Sequence, residues 1–162
     1  MKRMIRKAAP FLLATAALVG LFITTPSQKV EASPFDTLLG SWRGSGQVQL
    51  NTGPERLSCN AYYTGGGSQL GMAIRCTSGQ SKVEIRSKLS LSGNKITGNW
   101  EERTYNAAGT ASGTASPGRI SISVSGTVRG SMIVNFSKSS QSVSISTSGS
   151  PLQKVSINLT RS

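Results

Sequence analysis

Residues 39–50 read LGSWRGSGQVQL. In an extended chain, Trp42, Gly44, Gly46, Val48 and Leu50 share one face, while Arg43, Ser45, Gln47 and Gln49 share the other. One side is suited to a dry interior and the other to water. The same alternation recurs at short, even intervals through the rest of the chain, so it decides the fold class.

Downstream, Leu57, Cys59, Ala61 and Tyr63 form the apolar face of a second strand, and Leu70, Met72, Ile74 and Cys76 that of a third, with Gly65, Gly66 and Gly67 at the turn. Placing Cys59 opposite Cys76 also sets Ala61 against Ile74 and Tyr63 against Met72. A single register therefore puts every apolar side chain of both strands on one side. A disulfide between the two cysteines agrees with that register and closes a loop worth about 3 kcal/mol through restriction of the unfolded chain.

The run SKVEIRSKLSL, residues 81–91, alternates most clearly of all. Gly93 and Asn94 then provide a two-residue turn. That turn sets Leu91 against Ile96, Leu89 against Gly98 and Ser87 against Trp100. Residues 106–116 are almost entirely Ala, Gly, Thr and Ser, a composition shared with flexible linkers. Pro117 and Gly118 can nevertheless fold them back as a strand, pairing Ala115 with Ile120, Gly113 with Ile122 and Ala111 with Val124. Three further strands present Met132, Val134 and Phe136, then Val143 and Ile145, then Val155, Ile157, Leu159 and Arg161 inward. The expected fold is all-β, a single closed antiparallel up-and-down barrel of about 8–10 strands, because closure removes the edges that otherwise invite aggregation.

On the N-terminal side, residues 34–39 are expected to form one helical turn that closes an end of the barrel. Before them stand Lys2, Arg3, Arg6 and Lys7, an apolar run over residues 11–23, and Val30-Glu31-Ala32. This is the pattern of a secretory signal peptide over residues 1–32, with small residues where a signal peptidase requires them. The remaining residues 33–162 make one domain, carry 13 Lys and Arg against 5 Asp and Glu, and have a net charge of +8. The expected location is periplasmic or secreted, where a disulfide is the default. The mature form is not expected to span a membrane. The basic residues are dispersed, without a stripe of interleaved aromatics, so nucleic acid is not an expected partner.

The chain has no His. A Ser nucleophile therefore lacks its usual base, and no Gly-x-Ser-x-Gly elbow is present. Glu101 and Glu102, as neighbours on a strand, point to opposite faces, and Glu84 points outward. No enzyme, metal site or cofactor is expected.

Gly40-Ser41-Trp42 at the first strand, with Arg161 at the end of the last, resembles the calycin superfamily: lipocalins, fatty-acid-binding proteins, avidins and nitrobindin-like barrels. That resemblance implies that Trp42 plugs one end of the barrel while Arg161 packs across its face. The ligand assignments of the individual families do not carry over. Residues 51–54 cannot hold the helical lid of fatty-acid-binding barrels, the tail lacks their Arg-x-Tyr, and there is no His for haem. The chain is also similar to the small periplasmic metalloprotease-inhibitor barrels, which implies an inhibitory role for residues 33–38.

The expected function is binding without catalysis, with a small apolar ligand held inside the barrel and lined by Tyr63, Met72, Trp100 and Phe136. Glu102 falls on the inner face two residues beyond Trp100. There it either orients a polar head group beside Trp100, Tyr63 and Ser87, or sits at the rim paired with Arg103 or Arg75. The alternatives are a protein-binding module, such as a protease inhibitor acting through residues 33–38 or a loop rim, and a structural envelope protein without a small ligand.

Overall fold

The computed structural model describes residues 32–79 and 81–162. The expected signal peptide thus lies, apart from Ala32, outside the described residues. Among the described residues no helix is long and apolar enough to cross a membrane.

One short helix, α1 (Pro34–Leu38), precedes ten strands: β1 (Gly40–Leu50), β2 (Gly53–Gly66), β3 (Gln69–Thr77), β4 (Lys82–Ser92), β5 (Lys95–Glu102), β6 (Ala107–Ser116), β7 (Arg119–Gly126), β8 (Arg129–Phe136), β9 (Ser140–Ser148) and β10 (Leu152–Arg161). Each strand pairs antiparallel with its neighbours in sequence, and β1 pairs with β10, so the sheet closes into an up-and-down barrel. The Ala-Gly-Thr-Ser stretch is therefore a strand, β6, and its register against β7 is the one set by Pro117 and Gly118: Ala111 opposite Val124, Gly113 opposite Ile122, Ala115 opposite Ile120.

Alternation decides which side chains go inside. Along β3 every second residue, from Leu70 to Cys76, is buried, and along β10 so are Val155, Ile157 and Leu159. Two inward positions of β1 have room for no side chain at all. A Cβ at Gly44 or Gly46 would run into the backbone carbonyl oxygens of Asn158 or Ser156 on β10. Glycine at these positions is what lets the two backbones approach so closely.

The two ends are built differently. At one end lie α1, the C-terminus and the tight turns after β2, β4, β6 and β8. Ser33 caps α1 by accepting from the Phe35 N–H, while Asp36 accepts from the Ser33 N–H. Phe35 and Leu38 are fully buried, and Asp36 also accepts from the Gly67 N–H in the β2–β3 turn. Gly67 has φ of +58°, a conformation open to glycine at little cost. The helical turn is thus tied down as a plug. This corrects the picture of residues 33–38 as an inhibitory segment free to reach a partner, because its two large apolar side chains are part of the barrel core.

Candidate functional site

The opposite end is ringed by the connections after β1, β3, β5, β7 and β9, and there the interior is not filled. A cavity of about 390 Å³ runs inward from these loops. Its volume falls within the roughly 300–1,000 Å³ typical of small-molecule sites. The wall is apolar for most of its area, with Met72, Leu89, Trp100, Ile122, Met132 and Val155 among the lining side chains. Small inward residues leave this space: Ala107 and Ala111 of β6 are buried lining residues where larger side chains would have reached the barrel axis.

Trp100 is half-buried and donates its indole N–H to the backbone oxygen of Ser125 at 3.2 Å, which fixes the ring against the wall near the mouth. Ser87 stands between Met72 and Trp100 on one rung of the sheet. Tyr105, in the β5–β6 loop, lines the mouth and is 65 % exposed.

Glu102 is buried in the wall at 8 % exposure. Its carboxylate accepts three backbone N–H groups, from Glu84 at 2.9 Å, Thr104 at 3.1 Å and Tyr105 at 2.6 Å. The expected arginine partner is not the one used. Arg103 pairs with Glu101, and Arg75 pairs with Glu84. Parity explains the difference, since these ion pairs lie on the outer face whereas Glu102 turns inward, where it is met by backbone donors of β4 and of the turn at 103–106. Outside the wall, the hydrogen bond from Arg86, joined by Arg75, holds the Glu84 carboxyl below the ordinary carboxylate range.

Met72, Trp100 and Glu102 therefore come together at the cavity, whereas Tyr63 and Phe136 do not. Both lie nearer the plugged end. Tyr63 crosses the interior to donate its phenol to the Gln141 side chain at 2.7 Å, and Phe136 is paired across the sheet with the same Gln141. Burial pushes the Tyr63 phenol well above its ordinary pKa. Parity places all five residues inside, but Phe136 ends β8 at the filled, plugged end, and Tyr63, although directly opposite Met72, is held toward Gln141 and away from the cavity. Ser87 as a wall residue in its own right, Met132 and Tyr105 were not singled out by the sequence; for Met132 the available signal was its inward parity on the strand leading to Phe136.

Cys59 and Cys76 form a disulfide between directly opposed positions of β2 and β3, with Cys76 one residue short of the end of β3 at the loop end. Trp42 is buried at 1 % exposure and donates its indole N–H to the Leu38 oxygen at 2.7 Å. The Arg161 guanidinium covers its ring and donates to the backbone oxygens of Thr37, Leu39 and Lys138.

This geometry has relatives among solved structures. The chain is similar to the crystal structure of Rv2717c from M. tuberculosis, with a TM-score of 0.64 and 16 % identity over 82 % of this chain and 99 % of that one. It is also similar to the S-type phycobiliprotein lyase CPES from Guillardia theta, with a TM-score of 0.52 and 14 % identity over 78 % of this chain and 89 % of that one. At such identities the likeness bears on the fold alone, and it is consistent with a calycin-like barrel. No protein-family model matches the chain. No curated protein matches it by sequence either.

Proposed function

We propose that this is an exported, non-enzymatic binding protein that holds a small, largely apolar molecule in its barrel. The observation that carries the reading is the apolar cavity of about 390 Å³ opening through the loop end while the other end is plugged. Such a chamber removes an apolar molecule from water on nearly all sides, at about 25 cal/mol for each Å² covered. The leader-like residues 1–32 and the Cys59–Cys76 disulfide support export into an oxidising compartment. The binding residues in this reading are Met72 and Trp100, with Glu102 shaping the mouth through the 103–106 bend.

Two measurements test it. Organic extraction of the purified protein followed by mass spectrometry is expected to release a small apolar compound in stoichiometric amount. The neutral fluorophore 1,6-diphenylhexatriene is expected to brighten on binding, at one site per chain. A protein that carries nothing and leaves the fluorophore dark is not a carrier of this kind. Tyr105, an aromatic side chain exposed at the rim, supports a second reading in which the rim grips a protein partner. That reading expects the empty result, together with loss of partner binding in Tyr105→Ala.

A further inference from the structure

The cavity wall holds a polar group that the protein leaves without a partner. Ser87 is 8 % exposed and belongs to the lining, yet its Oγ makes no hydrogen bond to any protein atom among the described residues. A buried hydroxyl in that state is unfavourable, and alanine would complete the same strand and wall without the cost. Its neighbours on the rung, Met72 and Trp100, point into the same space. Rotation about χ1 carries Oγ among three staggered positions on an inward-facing Cβ. A polar atom on an occupant at this depth can therefore engage it.

Charge supplies the second constraint. Among the described residues lining the cavity there is no Lys or Arg, and Glu102 is the single carboxylate. The three N–H groups on that carboxylate belong to the backbone and are already directed at it. An anionic occupant would enter a poorly solvated space beside a like charge, with no cation in the wall to offset the loss of water.

Resting on the binding reading above, we propose that the cavity selects an uncharged apolar molecule bearing one hydrogen-bonding group, a hydroxyl or carbonyl, that meets Ser87 midway down the barrel. Carboxylates of the same chain length are discriminated against.

The test uses displacement of 1,6-diphenylhexatriene from the purified protein at pH 8 by 1-octanol, octanoate and octane. Octanol is expected to compete at a concentration about tenfold lower than octanoate, as a single buried charge or hydrogen bond commonly decides. Ser87→Ala is expected to weaken octanol about fivefold and leave octane unchanged, with no loss of thermal stability because the orphan hydroxyl is gone. Glu102→Gln should narrow the gap by improving octanoate. Octanoate binding as well as octanol, or equal losses for octanol and octane in Ser87→Ala, overturns the selectivity proposal while fluorophore binding keeps the carrier reading intact. Failure of the fluorophore and all three competitors to bind overturns both.

Discussion

The guanidinium carbon of Arg161 lies 4.2 Å from the centre of the Trp42 ring, and the two residues are directly paired across β1 and β10. One contact therefore joins the first strand to the last. It also secures the plug, since the same guanidinium holds the oxygens of Thr37 and Leu39 on either side of the end of α1.

Replacing Arg161 with Ala removes three charged hydrogen bonds and the ring contact, at an expected cost of about 2 to 3 kcal/mol. In a domain of this size the thermal midpoint should fall by about 6 to 10 °C. Arg161→Lys should recover less than half, because a single ammonium cannot span three carbonyls. Calorimetry on the two variants checks both values, and an unchanged midpoint in Arg161→Ala would show that the closure is held elsewhere.

Removing the disulfide as the pair Cys59→Ala and Cys76→Ala releases a cross-link over 17 residues. The expected loss is about 3 kcal/mol. The β2–β3 register, held also by Ala61 against Ile74 and Tyr63 against Met72, should persist. Denaturant titration monitored by circular dichroism reads the loss, and amide exchange reads the register.

The pH dependence has two limbs of opposite sign. Tyr63 has a folded pKa raised above its ordinary value of 10.0, so its contribution is complete below that value and declines as the pH rises above it, where the unfolded chain ionises and the folded one resists. Tyr63→Phe should flatten the alkaline decline in stability. Glu84 has a folded pKa below its ordinary value of 4.5, so its contribution is present at neutral pH and is lost as the pH falls through the folded value. Glu84→Gln should remove that acid limb. Urea midpoints measured across pH 3 to 11 separate the two.

Met132 lines the cavity and is 7 % exposed. Met132→Trp should fill the chamber and abolish fluorophore binding while changing stability by no more than about 1.5 kcal/mol, the usual tolerance for a substitution that has space to occupy. Strong residual binding would place the fluorophore outside the barrel.

Much of the architecture was legible from local pattern. Alternation assigned the inner residues of nearly every strand, and two-residue turns such as Gly93 and Asn94 fixed the register that sets Ser87 opposite Trp100. Cys59 opposite Cys76 was likewise visible, while Arg161 over Trp42 was implied by the calycin resemblance. The candidate site was legible in part: parity marked Met72, Trp100 and Glu102 as inward, but it marked Tyr63 and Phe136 equally.

The sequence by itself determined which face of each ribbon is dry and how consecutive ribbons align, because a period of two and a tight turn are properties of a few neighbouring residues. Only the tertiary structure decided where the interior is filled and where it is hollow. That depends on the summed volume of side chains from ten strands at one depth and on α1 occupying one end. The isolation of the Ser87 hydroxyl was likewise decided by the packing of its neighbours on adjacent strands, whereas two of the three donors to Glu102, from Thr104 and Tyr105, are local in the chain.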